Sequence, residues 1–152
     1  MILEVSPFGP KSRLLARWPL TTEILTSLLP WAQSAKRRRR FCRSIPNKDR
    51  LGRPITTTRW IREAQEILTR IGEGYTTTPP HDGGWETASG QLRRERTVIV
   101  YTYVKPDRFL AQVRALREFL HRFGRETNQE VVVAELSGAE GSWFFRITVY
   151  DD

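Results

Sequence analysis

Residues 36–43 read Lys-Arg-Arg-Arg-Arg-Phe-Cys-Arg, six positive charges with no acid among them. Guanidinium groups suit bidentate contact with phosphate oxygens. A run this dense would release counterions from a polyanion, giving affinity with little sequence choice and a steep dependence on salt. The aromatic ring inside the run adds a surface on which a base can stack. The candidate nucleic-acid contacts are therefore Lys36, Arg37, Arg38, Arg39, Arg40, Phe41 and Arg43. The formal net charge of the chain is +8, so this one run carries most of the excess. The competing reading is a solvated connector, or an edge strand whose charges resist aggregation.

Other reactive residue types are sparse. The stretch "PPHDGGWE" gathers His81, Asp82, Trp85 and Glu86, and a histidine with two carboxylates can ligate a metal or move a proton. Its spacing matches no standard metal motif, and Asp and Gly are ordinary turn residues. Cys42 is the only cysteine. Neighbouring arginines lower a thiol pKa when they lie close in space, but no sequence-adjacent base accompanies it, so a small packing residue is expected. His121 lies off the apolar stripe of its helix and is expected at the surface. No glycine pattern forms a phosphate cradle. These absences argue against an enzyme and against a bound cofactor or metal.

The elements that would hold these residues follow from periodicity. Ile24, Leu25, Leu28 and Leu29 recur at helical spacing within a proline-punctuated opening, so residues 1–35 are expected to form a helical extension, with residues 36–152 as the main domain. A possible strand starts near residue 38. The segment "TTTRWIREAQEILTRIGEG" sets Trp60, Ile61, Ala64, Ile67, Leu68 and Ile71 on one stripe, with threonines to cap the helix and Gly72 or Gly74 to stop it. A short strand then leads into a long turn through Pro79, Pro80, Gly83 and Gly84. "ERTVIVYTYV" is β-branched and aromatic throughout and reads as a central strand. Pro106 opens a second helix carrying Phe109, Val113, Leu116, Leu120 and Phe123, with Gly124 expected to end it. "QEVVVAEL" and "WFFRITVY" close the chain as a hairpin.

Two helices with one apolar stripe each need one sheet face to bury against. The order predicts an α+β fold of split βαβ, ferredoxin-like type: an antiparallel sheet, two helices on one face and an extra C-terminal strand. Tyr101 and Tyr103 share one side of the central strand and Val98, Val100, Thr102 and Val104 the other; alternation alone leaves open which side is uncovered.

From "ITTTRW" to "NQEVVVAEL" the chain resembles a family of small uncharacterised bacterial proteins, a domain of unknown function. The matching residues are Trp60, Gly84, Trp85, Gly90, Leu92, Glu95, Thr97, Phe123, Gln129, Glu130 and Val131, over roughly residues 53–136. The resemblance implies a ferredoxin-like fold and no established activity.

Hydrophobic residues at 39% and charged residues at 28% describe a globular chain rather than a disordered one. No apolar run approaches the roughly 20 residues of a membrane span. A single cysteine and an N-terminus without a signal-like pattern lead to the expectation of a cytoplasmic protein. The function expected from sequence is a non-enzymatic binding module that meets nucleic acid, or a nucleoprotein assembly, through the arginine-rich segment. The alternative is a structural or oligomeric module whose open sheet face pairs with a second subunit and whose basic run docks on an acidic protein.

Overall fold

Side-chain alternation decides which face of each strand is dry, and in this chain it sorts the strands consistently. The computed structural model describes residues 13–14, 39–138, 141–148 and 150. The expected helix at residues 21–29, and with it most of the N-terminal extension, lies outside the described residues.

In chain order the elements are β1 (Arg13–Leu14), β2 (Arg40–Pro46), α1 (Thr58–Gly72), β3 (Thr76–Thr77), β4 (His81–Glu86), β5 (Leu92–Tyr103), α2 (Pro106–Glu126), β6 (Val132–Gly138) and β7 (Gly141–Ile147). One sheet runs β1-β7-β6-β2-β5-β3, with β4 also paired to β5. Strands β2 to β7 join antiparallel, and β1 adds to β7 in parallel. The fold is α+β, as expected.

Phe41 and Ile45 of β2, Val98 and Val100 of β5, Ala134 and Leu136 of β6 and Phe145 of β7 bury against the two helices. The stripe Trp60, Ala64, Leu68 and Ile71 meets them from α1, and Phe109, Leu116, Leu120 and Phe123 from α2. Trp60 stands edge-on to Phe123, with ring centroids 5.2 Å apart, a favoured aromatic geometry. Each of these large side chains contributes about 1.5–3 kcal/mol on leaving water. The opposite face carries the residues in between, including Cys42, Tyr101, Tyr103, Val133 and Phe144, and no described element covers it.

Several local expectations change. Strand β2 is neither a frayed connector nor an edge strand, because it pairs with β5 on one side and β6 on the other. Helix α1 starts after Thr57 without a side-chain cap, and Glu73, not a glycine, takes the left-handed position at its end (φ 69°). Helix α2 continues through Gly124 to Glu126. At Gly124 a side chain would strike the Tyr150 ring, so packing explains this glycine and termination does not. "HDGGWE" is strand β4 rather than a turn, with Gly83 opposite Glu95 and Gly84 opposite Arg94; the turn itself lies beyond it, where Gly90 has φ 78°. His121 is buried, edge-on to Tyr150 at 6.3 Å, because the chain after β7 returns over that end of α2.

Asp49 organises the loop between β2 and α1. Its Oδ1 accepts the Leu51 and Arg53 backbone amides at 2.8 and 2.9 Å, and its Oδ2 accepts from Arg53 Nε at 2.7 Å and from Asn128 Nδ2 at 3.4 Å. Burial pulls its pKa upward, but these hydrogen bonds outweigh it and bring the carboxyl down to about 2. A folded-state pKa below the unfolded value near 4 means the contribution is complete above pH about 4 and is lost as pH falls through 2. Urea titrations at pH 5 and pH 2.5 are expected to show this loss in the wild type and a smaller pH difference in Asp49→Asn. Gly72 lies against Thr102 and the Tyr103 carbonyl, where an added methyl has no room. Gly72→Ala should therefore lower stability by about 1–3 kcal/mol by overpacking, despite alanine's better helix propensity.

Candidate functional site

The basic run divides between the two faces of β2. Lys36, Arg37 and Arg38 lie outside the described residues. Arg39 is 4% exposed, with its side chain packed over Gly138 and its carbonyl accepting the Val104 amide. Phe41 is fully buried between Phe109 and Phe145, at centroid distances of 6.1 and 6.5 Å, so it offers no ring to a base. Arg43 is also 4% exposed; its Nη1 donates to the Val133 carbonyl at 2.9 Å, and its guanidinium lies 4.4 Å from the centre of the Phe123 ring. Burial pushes its pKa down to about 9, which still leaves it protonated at neutral pH.

The reading of these side chains as nucleic-acid contacts is therefore corrected for Arg39, Phe41 and Arg43, which are buried. The reason is central strand position, which turns alternate residues into the helix layer. Arg40 remains exposed, 5.3 Å from the Tyr101 ring centre. It pairs with Tyr103 at one end of β5, whereas Arg93, Arg94 and Arg96 lie at the other. Seven to ten residues at about 3.3 Å each separate them by roughly 23–33 Å, so the two basic groups form different surfaces.

Cys42 faces the uncovered side. Its thiol donates to Glu135 Oε2 at 3.6 Å, and Ser142 Oγ donates to Glu135 Oε1 at 2.9 Å. Burial first, and the Glu135 carboxylate second, push the thiol up to about 11; the opposing pull of Arg40 and Arg43 is smaller. The flanking arginines therefore do not produce a thiolate. In β4, His81 and Asp82 point to opposite sides, the His81 ring bonding to the Pro79 carbonyl at 2.9 Å and Asp82 standing 4.0 Å from Arg96. Among the described residues no group of three His, Cys, Asp or Glu could hold a metal.

A pocket of about 220 Å³ opens where α1 ends against β3 and β5. Glu73, in its left-handed conformation, donates its amide to the Thr69 carbonyl at 2.8 Å and turns the chain back. Thr76 then pairs with Tyr101, and Thr102 Oγ1 donates to the Gly74 carbonyl at 2.5 Å, closing the corner. Tyr75, Tyr101 and Tyr103 line the opening together with Glu73 and Thr76. Tyr75 is 49% and Tyr103 53% exposed, and the Tyr101 and Tyr103 rings stand perpendicular at 6.3 Å. The Glu73 carboxylate sits 3.4 Å from both Lys105 Nζ and Arg108 Nη2. Aromatic faces and edges with a flanking carboxylate can hold a planar heterocycle or a soft cation.

A larger groove of about 680 Å³ runs between α1 and α2, but Glu63 on its wall already bridges Arg59 and Arg122, and no aromatic ring lines it. Alternation placed Tyr101 and Tyr103 together in the sequence; Tyr75 and Glu73 had no such signal, since only the turn after α1 brings them to β5.

No protein-family model matches the chain, and no curated protein matches it. The resemblance to the uncharacterised bacterial family thus rests on its residues alone. Among solved structures, a phage SAM lyase in complex with S-methyl-5'-thioadenosine is similar with a TM-score of 0.55 and 18% identity, over 74% of this chain and 90% of that one. A phage SAM lyase in its apo state is similar with a TM-score of 0.53 and 16% identity, over 76% of this chain and 93% of that one. The likeness is one of fold. It overturns the expectation of a non-enzymatic module, which rested on missing motifs: the architecture is one that an enzyme uses. No helix among the described residues is long and apolar enough to cross a membrane.

A buried thiol beside a carboxylate should react slowly. At pH 8 a disulfide reagent such as DTNB is expected to label Cys42 at least tenfold more slowly than a free thiol, and Glu135→Gln should speed the labelling.

Proposed function

We propose that the chain is a lyase acting on an adenosyl sulfonium, with S-adenosylmethionine as the substrate, and that the tyrosine-lined pocket is its binding site. The observation that carries this reading is the coincidence of that pocket with a fold shared with a phage SAM lyase. The same reading takes the β6-β2-β5-β3 order as a split βαβ, ferredoxin-like body widened by β7 and β1.

The pocket chemistry suits the ligand. An adenine ring stacks on a tyrosine face, worth about 1–3 kcal/mol per base. A sulfonium is attracted by the same π faces, worth about 0.5–2 kcal/mol. Cleavage to S-methyl-5'-thioadenosine breaks the bond between sulfur and the γ-carbon of the amino-acid portion. The electron pair stays on sulfur, which becomes a neutral thioether. The four-carbon fragment closes through its own carboxylate, whose oxygen forms the new bond to the γ-carbon as the bond to sulfur breaks, and no water is added. The charge lost at sulfur makes the reaction favourable in a site partly shielded from water. Binding and orientation fall to Tyr75, Tyr101 and Tyr103, with Thr76 offering a hydroxyl at the pocket wall.

The test is incubation of purified protein with S-adenosylmethionine, following S-methyl-5'-thioadenosine by liquid chromatography against a protein-free control. A rate above the spontaneous one is expected, with kcat/KM reduced about tenfold or more in Tyr103→Ala, the loss of one stacking ring. A product rate equal to the control, together with no thermal shift from millimolar substrate or product, would sink the proposal.

A further inference from the structure

We infer that Glu73, Lys105 and Arg108 form a receptor for a zwitterionic amino-acid end, so that the pocket selects sulfonium nucleosides bearing both a free α-ammonium and a free α-carboxylate. This rests on the reading of the tyrosine pocket as an adenosyl site, and it adds the part of the ligand the tyrosines do not recognise.

The three side chains come from two elements held together by backbone. The Lys105 amide donates to the Ile71 carbonyl at 3.2 Å, which sets the start of α2 beside the end of α1. Arg108 lies three residues on from Lys105, on the same side of the first turn of α2. Glu73 lines the pocket two residues before Tyr75, and Lys105 and Arg108 stand beside that lining rather than in it, reached through their contacts with the Glu73 carboxylate.

Two cations share a single carboxylate here, and both contacts are 3.4 Å, longer than the roughly 2.7–2.9 Å of a close charge-assisted hydrogen bond. All three side chains are at least half exposed. The pairs are loose and partly solvated, so opening them costs little. One unit of positive charge is left over, and the positive end of α2 lies beside it. An incoming α-carboxylate takes the place of Glu73 between Lys105 and Arg108, and the freed Glu73 carboxylate receives the α-ammonium. The first exchange keeps both cations paired, and the second adds a pair, so two ion pairs become three. A ligand without the amino-acid end leaves the triad as it is and binds through the tyrosines alone.

The experiment is calorimetric titration of the full chain with three probes: S-adenosylmethionine, decarboxylated S-adenosylmethionine, and S-methyl-5'-thioadenosine, which lacks the whole amino-acid end. The wild type is expected to bind the complete compound at least tenfold more tightly than the decarboxylated one. Lys105→Ala/Arg108→Ala should lose ten- to hundredfold in affinity for S-adenosylmethionine while its affinity for S-methyl-5'-thioadenosine stays within twofold. Glu73→Gln should show the same pattern, and it tests the ammonium contact should the double variant fold poorly. Equal wild-type affinity for the complete and decarboxylated compounds would overturn the inference. So would a parallel loss of S-methyl-5'-thioadenosine binding in the variants. The distinction from the adenosyl reading is direct: wild-type binding of S-methyl-5'-thioadenosine without carboxylate discrimination refutes only the triad, whereas failure of every probe removes both.

Discussion

The position of β2 between β5 and β6 constrains the rest of the molecule. An interior strand has both edges hydrogen-bonded, so its side chains have only the two sheet faces to enter, and one of these is roofed by α1 and α2. Phe41 and Ile45 satisfy that roofed face with apolar surface. Arg43 must enter it as well, at a desolvation cost of several kcal/mol for a buried cation. The Val133 carbonyl and the Phe123 ring offset that cost, and in doing so they tie the central strand to β6 and to α2 at once.

The same alternation dresses the opposite face. Cys42 and Arg40 emerge there, next to Tyr101 and Tyr103 across the β2–β5 ladder and to Glu135 and Ser137 across the β2–β6 ladder. The properties of that face are collective. Arg40 lies against a tyrosine ring, and the Cys42 thiol pKa is raised by burial first and by the neighbouring Glu135 carboxylate second. Sequence neighbours alone give the wrong sign for the thiol shift, since Arg43 points to the other face and the downward pull of the arginines is outweighed by burial and by Glu135.

The pocket sits where regular structure stops. Helix α1 ends close against β5 because Gly72 has no side chain, Glu73 reverses the chain, and β3 returns along β5 for two residues. Corners of this kind expose side chains that elements alone would bury, while the flanking helix and strand hold them in place. That division of labour, a rigid scaffold with chemistry at its seams, explains how a fold can be shared at 16–18% identity while the site must be argued from its own residues.

Both helices, the β5 strand and the C-terminal hairpin were legible in the sequence because their apolar residues recur with a period that survives any environment. The order of elements was enough for the α+β class. Strand β4 was obscured because its glycines read as a turn, and His121 was misplaced because its partner, Tyr150, lies 29 residues away. Periodicity is a property of one segment, and the sequence by itself determined what one segment can decide: which residues form helices and strands, and which of them share a face. Which face is covered, which arginines are buried, and which tyrosines meet a glutamate are relations between segments distant in the chain. Only the tertiary structure decided those, through strand order and the close approach of α1 to β5.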